Sequence, residues 1–277
     1  MTQQQGNPGI ERLCEISRVP RASYYRHWRR VEPEEADVEL RDRIQRICVT
    51  NRFYGYRRVR AKLSQQCLTV NHKKIRRLMR EDNLLAIRER KWISTTESNH
   101  LLAVFPNLAG MVELDGPNQL WVADLTYIRL RSEFVYLAVV LDAWSRRVVG
   151  WALGRSLTAA LPKEALLAAI AQRKPDPGLI HHSDRGVQYA SLEYVSELAR
   201  HQIVGSMSRR AYPWDNARCE SFLKTLKQEQ IDCQRYRTLE ELRCQLEEFI
   251  EQYYNLQRLH SALSYRSPAE FEANRVA

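Results

Sequence analysis

The chain has 277 residues, of which 44% are hydrophobic and 27% are charged, a composition typical of ordinary globular proteins. It contains no low-complexity tract and no apolar run of membrane-spanning length, which excludes a disordered, a collagen-like and a transmembrane protein. Residues 1–10 are polar and lack the basic and apolar regions of a secretion signal, so we expect a cytoplasmic protein.

The positive charge is concentrated in the first part of the chain. The net charge is +10, which favours a polyanionic partner. Residues 1–110 hold 22 Lys and Arg against 12 Asp and Glu, whereas residues 111–277 hold 21 of each, and we place a domain boundary near Gly110. The six cysteines are scattered without the spacing of a zinc finger, which predicts reduced thiols and no zinc site.

Three helical patterns lie in this basic part. Apolar residues recur at helical spacing around Ile44, Val59 and Ile75, and Asn71 is the predicted N-cap of the third helix. The other face of the third helix is basic: Lys73, Lys74, Arg76, Arg77 and Arg80. The pattern predicts a helix-turn-helix unit whose third helix binds DNA phosphates. The alternative is a solvated basic face, and DNA binding is favoured because the acidic residues that usually alternate with Lys and Arg are scarce here.

Strand patterns begin after an extended connector at residues 92–118. Three β-branched and aromatic runs, at residues 119–129, 134–142 and 147–153, predict an antiparallel meander. Alternating elements follow: a helix over 162–173, a strand over 179–183, a helix over 192–201, a strand over 203–206, and long helices over 216–229 and 239–254. This order predicts an α/β fold with a sheet of mixed strand direction.

Three acidic residues stand out against this pattern. Asp124 lies inside the first strand, where a charge is costly unless a cation balances it, and Asp184 follows a later strand. Glu220 lies in a helix, 35 residues after Asp184, with Lys224 and Lys227 on the same face. Three such carboxylates suit two divalent hard cations in phosphodiester displacement. The structural alternative is that Asp184 starts a turn, Asp124 makes a core hydrogen bond and Glu220 pairs with Lys224.

Four ordered motifs carry a resemblance to a known family. They are Trp121-Val-Ala-Asp-Leu-Thr-Tyr127, His182-Ser-Asp-Arg-Gly-Val-Gln-Tyr189, Asp215-Asn-Ala-Arg-Cys-Glu-Ser-Phe222 and the tail from Tyr254 to Phe271. Together they resemble the second-frame (orfB) transposases of the IS-three insertion-sequence family, whose core is similar to retroviral integrases. The stretch from Phe53-Tyr-Gly-Tyr-Arg-Arg-Val59 to Leu84 resembles the helix-turn-helix that precedes that core.

The resemblance implies an RNase H-like catalytic core and a DDE triad at Asp124, Asp184 and Glu220, which uses two Mg²⁺ or Mn²⁺ ions. It further implies that Lys227 contacts the transposon end. The partners that the resemblance implies for this chain are double-stranded DNA, other copies of the chain on that DNA, and a first-frame (orfA) protein or fusion. The implied location is the nucleoid in the bacterial cytoplasm. The zinc module of retroviral integrases and the leucine heptads of the first frame are missing from the sequence, so neither is carried over.

The sequence therefore predicts a DNA transposase that frees 3′-hydroxyls at the ends of its insertion sequence and joins them to target DNA. We predict an N-terminal extension over residues 1–35, a helix-turn-helix domain over 36–91, a linker over 92–118 and the catalytic domain over 119–277. Two other classes stay open. One is a non-transposing nuclease of the RNase H superfamily, and the other is a domesticated or inactive DNA-binding protein that would need only residues 40–91.

Overall fold

A computed structural model of the chain describes residues 35–84, 104–131, 133–209 and 212–274, with five isolated positions (11, 14, 15, 20 and 22). The chain divides into two compact units, residues 1–85 and 86–277. Most of the predicted extension over residues 1–35, the end of the predicted helix-turn-helix domain and the first part of the predicted linker lie outside the described residues. Within the described residues, no helix is long and apolar enough to cross a membrane.

The described residues of the first unit form three helices. They are α1 (Glu35–Thr50), α2 (Tyr56–Gln65) and α3 (His72–Glu81), as the apolar spacing predicts. Val59, Leu63 and Ile75 are fully buried between them. The turn from α2 to α3 passes through Cys67 in the left-handed region, at φ 61°. The Asn71 side chain then accepts a hydrogen bond from the Lys73 amide at 2.8 Å, which confirms the predicted N-cap.

The second unit is built on a five-stranded mixed sheet. Its strands are β1 (Leu120–Arg129), β2 (Phe134–Asp142), β3 (Val148–Gly154), β4 (Ile180–Ser183) and β5 (Val204–Met207), in the order β3-β2-β1-β4-β5. β1, β2 and β3 form the predicted antiparallel meander, and β4 and β5 join parallel to β1. β1, the strand that carries Asp124, therefore lies at the centre of the sheet.

Helices cover both faces of this sheet. Alternate residues of β2 face opposite sides: Leu137 and Val139 pack with α6 (Ala217–Glu229) and α7 (Leu239–Glu247), whereas Ala138 and Val140 pack with α4 (Ala160–Arg173) and α5 (Leu192–Arg200). α4 approaches β3 so closely that a Cβ at Gly150 would lie 2.3 Å from the Ala165 carbonyl oxygen. Gly150 is thus the residue that lets this helix lie on the sheet.

The tail departs from the prediction of one α-helix over residues 239–254. The α-helix ends at Glu247 and continues as a π-helix over Glu248–Tyr254, before the short helix α8 (Pro268–Ala273). Tyr254, the last residue of the π-helix, and Asn255, which follows it, are both buried. The Asn255 side chain accepts from the Val148 amide and donates to the Val148 carbonyl, both at 3.0 Å, so these tertiary contacts favour the wider turn.

Candidate active site

Asp124 and Asp184 lie at the same level on neighbouring strands. β1 and β4 are parallel, with Val122 opposite His182, and two further residues along each chain reach Asp124 and Asp184. Neighbouring strands lie about 4.8 Å apart, and residues at equal register share a face of the sheet. The fold therefore brings together these two predicted acidic residues.

Local hydrogen bonds fix each carboxylate. Asp124 Oδ1 accepts from the Leu125 amide at 2.8 Å, and Asp184 Oδ1 accepts from the Gly186 amide at 2.9 Å. A Cβ at Gly186 would lie 3.0 Å from Asp184 Oδ1, so a larger residue would crowd this turn. The second oxygen of each carboxylate is not used in these two bonds.

Glu220 projects from the first turn of α6 and is exposed. The helix starts beside β1, because the buried Asn216 side chain donates to the Ala123 carbonyl at 2.9 Å. Ala123 directly precedes Asp124, so this one bond couples the position of Glu220 to that of the β1 carboxylate. Asn216 lies in one of the sequence motifs. Its role as a tether between α6 and β1 can be inferred only from its hydrogen bond to Ala123.

The three acids act on one another electrostatically. Burial, together with the negative charges of Asp184 and, to a smaller extent, Glu220, raises the pKa of Asp124 to about 8, although the Leu125 amide and Lys227 act in the opposite direction. Burial also raises the pKa of Glu220. Asp124 and Glu220 are therefore harder to ionise without a cation beside them.

The donor set fits a divalent cation in its chemistry. Carboxylate oxygens are the ligands that Mg²⁺ prefers, and a cation at this place would offset the repulsion that raises the pKa of Asp124. In the described part of the chain, no three His, Cys, Asp or Glu side chains are already gathered closely enough to form a metal-binding group. Glu220 would have to move towards the two aspartates to complete such a group.

Two lysines share the helix that carries Glu220. Lys224 is exposed, and the Lys227 ammonium lies 5.1 Å from the centroid of the Tyr127 ring on β1. Burial lowers the pKa of Lys227, and the charges of Asp232 and Asp124 oppose that shift. Lys227 is therefore placed on the active-site side of α6, on an aromatic ring.

Two histidines before Asp184 are structural. His181 contacts the Tyr194 hydroxyl at 3.0 Å, while His182 contacts the Ser206 hydroxyl at 2.8 Å and the Ser208 hydroxyl at 3.0 Å. Burial lowers the pKa of His181 to about 3 and that of His182 to about 4, so both are neutral at pH 7. They hold β4, and with it Asp184, against α5 and β5.

The basic residues of α3 fall into two groups. Lys74 and Arg77 both pair with Asp37 of α1, which is buried and whose pKa their charges and the Lys74 hydrogen bond lower. Lys73, Arg76 and Arg80 are exposed, and among the described residues none of them pairs with a carboxylate. The predicted phosphate-binding set thus includes two residues that also hold α3 to α1.

The chain matches known families over both units. Residues 115–213 and residues 201–268 each match a family described as "Integrase core domain", and residues 35–92 match one described as "HTH-like domain".

Two curated proteins are similar over nearly their whole length. The "Insertion element IS600 uncharacterized 31 kDa protein" of Shigella sonnei is 38% identical over 264 residues, 94% of this chain and 97% of that protein. "Transposase InsF for insertion sequence IS3A" of Escherichia coli K12 is 34% identical over 282 residues, 99% of this chain and 97% of that protein. Among solved structures, the HTLV-2 integrase catalytic core domain in complex with magnesium (dimeric form) aligns at a TM-score of 0.43 with 19% identity, over 57% of this chain and 98% of that one.

Proposed function

Because the chain belongs to the IS3 (IS-three) family of transposases, with an HTH-like domain before an integrase core, we propose that it cleaves the ends of its insertion sequence and transfers the freed 3′-hydroxyls to target DNA. The proposal rests on one observation above all. The parallel register of β1 and β4 sets Asp124 beside Asp184, and α6, tethered to β1 through Asn216, presents Glu220 to them.

The proposed roles follow from these positions. Asp124 and Asp184 would hold one divalent cation between them, and Glu220 would hold a second. Two Mg²⁺ or Mn²⁺ ions, when bound, supply stabilisation of the attacking and leaving oxygens of the phosphodiester. The Leu125 and Gly186 amides keep one oxygen of each aspartate fixed, so these two aspartates need little reorganisation on ligand binding, whereas Glu220 would move towards them. Lys224 and Lys227 would position the DNA strand along α6.

The first unit is proposed to bind the inverted repeats. The exposed side chains of Lys73, Arg76 and Arg80 would contact phosphates, and Lys74 and Arg77 would add to the positive potential while held by Asp37. We keep the domain limits 36–91, 92–118 and 119–277 as part of this proposal. It further includes assembly of several copies on DNA, cooperation with a first-frame (orfA) protein or fusion, and action on the nucleoid in the bacterial cytoplasm.

Neutralising each carboxylate tests the proposed chemistry. Asp124→Asn, Asp184→Asn and Glu220→Gln should each abolish cleavage and strand joining in Mg²⁺, because two-metal catalysis requires the charge of every ligand. DNA binding should stay nearly unchanged, since phosphate contacts elsewhere supply the affinity. The measurements are cleavage of a labelled transposon end and a binding titration on the same DNA.

A matched control is Glu193→Gln, a neutralised acid on α5 that pairs with Lys163 away from the three carboxylates. It should cleave as the wild type does. Cleavage above roughly a tenth of the wild-type rate in any one carboxylate variant would remove that residue from the triad. If the unmodified protein binds the transposon end but does not cleave it, the result would instead favour an inactive or domesticated DNA-binding protein.

A further inference from the structure

Two arginines at one corner of the second unit have no acidic partner. Arg146 lies in the turn between β2 and β3, and Arg218 lies in the first turn of α6. Both are half-buried. Among the described residues, neither guanidinium group forms an ion pair or a hydrogen bond, whereas the neighbouring Arg147 pairs with Glu272.

Backbone and side-chain contacts bring the two arginines to the same corner. The Arg146 amide donates to the Asp142 carbonyl at 2.9 Å, and Val148, two residues further, is held in both directions by Asn255. On α6, Phe222 shares the face of Arg218 one turn later, and its ring lies 4.8 Å from that of Tyr254. Tyr254 and Asn255 are adjacent in the chain. Asn255 contacts the strand that follows the turn with Arg146, and Tyr254 contacts the face of α6 that carries Arg218, so the two arginines lie at the same corner.

Asp142, the acid that acts electrostatically on Arg218, is already occupied. Asp142 is fully buried and accepts hydrogen bonds from the Asn118 amide at 2.6 Å, the Trp144 amide at 3.1 Å and the Ser145 amide at 2.9 Å. The Ser145 hydroxyl adds a fourth bond at 3.0 Å. Its carboxylate therefore stabilises the turn and leaves both guanidinium groups with unused donors.

The charges of the two arginines also oppose each other. Burial lowers the pKa of Arg146, and burial together with the charge of Arg146 lowers the pKa of Arg218, although Asp142 acts in the opposite direction. Two like charges held at one corner are unfavourable unless an anion lies between them. The planar guanidinium group has five donors in a fork that matches the oxygens of a phosphate. In nucleic acid, the phosphates are the groups that carry negative charge.

We propose that Arg146 and Arg218 bind one phosphate of the DNA strand that is cut at the carboxylates. Arg218 precedes Glu220 by two residues and so points to nearly the opposite side of α6, about 10 Å away across the helix. The bound phosphate therefore lies at least about two nucleotides from the scissile one, because the two side chains leave α6 on nearly opposite sides. This inference rests on the proposed function, because it takes the anion to be that of the DNA substrate.

The anion site is tested first without DNA or catalysis. Arg146→Gln and Arg218→Gln remove the charges, alone and together, and Arg200→Gln is the control, since Arg200 is an exposed helical arginine that pairs with Glu197 at 3.7 Å. Inorganic phosphate at about 20 mM and constant ionic strength should raise the melting temperature of the wild type and of Arg200→Gln by about 1–3 °C. The double variant should not respond, and it should melt at or above the wild-type temperature without phosphate, because a repulsion has been removed.

The second measurement identifies the phosphate. One neutral methylphosphonate is placed in turn at each position from one to five nucleotides from the cleaved bond of a transposon end. At one of these positions the substitution should weaken binding to the wild type. At that same position it should weaken binding to the double variant much less. With unmodified DNA, the slope of log affinity against log salt should fall by about one in total for the double variant, because the two arginines share one phosphate. These titrations do not require cleavage, so they remain valid even if the protein binds ends without cutting them.

Three results would overturn the inference. Equal losses at every methylphosphonate position in the wild type and the double variant would exclude a DNA phosphate, even if inorganic phosphate stabilises the protein. A lower melting temperature of both single variants, with no phosphate response, would mean that the arginine stems only cover apolar surface. A change in the oligomeric state of the double variant without DNA, measured by sedimentation, would assign the pair to a carboxylate of a second copy.

Discussion

Lys227 is the active-site cation whose surroundings the sequence describes least well. Its ammonium lies over the Tyr127 ring and within electrostatic reach of Asp124, although the simplest expectation for a surface lysine is a loose pair with a nearby acid such as Asp232. A cation held on an aromatic face keeps its charge and a defined position. It is therefore suited to orient a phosphate group beside the carboxylates.

Lys227→Ala should slow cleavage at a transposon end more than it weakens DNA binding. A displaced phosphate near the reacting atoms can reduce the rate by ~100-fold, while one lysine–phosphate contact contributes only a small part of the total affinity. Single-turnover cleavage at saturating enzyme separates the two quantities. Lys163→Ala is the matched control, because Lys163 pairs with Glu193 on α5. A wild-type single-turnover rate for Lys227→Ala would exclude the positioning role.

At the level of elements, α3 has two functions on one basic surface. Asp37 of α1 takes Lys74 and Arg77, while Lys73, Arg76 and Arg80 are directed to solvent. The helix is thus held to its neighbour by charges of the same sign as those proposed to bind DNA. Substitutions in the two groups should have different consequences.

Arg76→Ala should weaken DNA binding and reduce the salt slope by about one, with the melting temperature nearly unchanged. Arg77→Ala should also weaken binding, but it should lower the melting temperature of the unit, because buried Asp37 loses one of its two partners. Binding titrations between about 50 and 200 mM salt, and thermal unfolding, measure both effects. If neither variant changes the salt slope, the basic face is solvated and α3 does not bind DNA.

The sequence predicted those features that depend on short-range patterns. The β-branched and aromatic run of β2 and the helical spacing of α3 are visible in the sequence, because β2 is buried on both faces and α3 on one. Asp124 and Asp184 could be singled out because a charge inside or just after an apolar strand is unusual. The pairing of Asp37 with Arg77 and of Glu229 with Arg258, at 2.6 Å, joins residues about 30 to 40 positions apart, so no local pattern indicates it.

The tail shows the same limit. Its motif from Tyr254 to Phe271 was recognised only as a resemblance, and its physical role became clear from the contacts. Tyr254 packs on Phe222 of α6, Asn255 bonds to β3, and Arg258 forms a buried pair with Glu229 at the end of α6. The tail thus fixes α6, the helix that carries Glu220, at two levels.

On the scale of the whole molecule, the neutral histidines of β4 predict how the second unit responds to acid. Burial lowers the pKa of His181 to about 3 and that of His182 to about 4, whereas an unfolded histidine titrates near 6.5. Below pH 6.5 the unfolded chain therefore binds protons that the folded chain does not, and stability falls with pH at about 1.4 kcal/mol per unit for each histidine. Asp124, with its pKa raised to about 8, acts in the opposite direction, and the raised pKa of Glu220 adds to that opposition.

The free energy of unfolding should thus decrease between about pH 6.5 and pH 5 in the absence of divalent cations. His182→Gln should make this decrease shallower, since Gln cannot be protonated and retains groups that can bond to Ser206 and Ser208. His201→Gln, which changes a part-exposed histidine on the surface beside Glu197, is the control. Urea unfolding followed at several pH values gives the slopes, and equal slopes in all three proteins would contradict the assignment of buried neutral histidines.

The contacts of the tail with α6 and β3 affect the order in which the chain folds during synthesis on the ribosome. The first unit draws its core from residues 40–79 and can assemble early, since domains generally fold from the N-terminus as they emerge. The second unit cannot do so. The contacts of α6 with Tyr254 and Arg258 form only after those residues leave the ribosome. The ion pair of Arg173 on α4 with Glu272 forms later still. A nascent chain can therefore have a folded helix-turn-helix unit before the three carboxylates reach their final arrangement, so the proposed active site is complete only after Glu272 has left the ribosome.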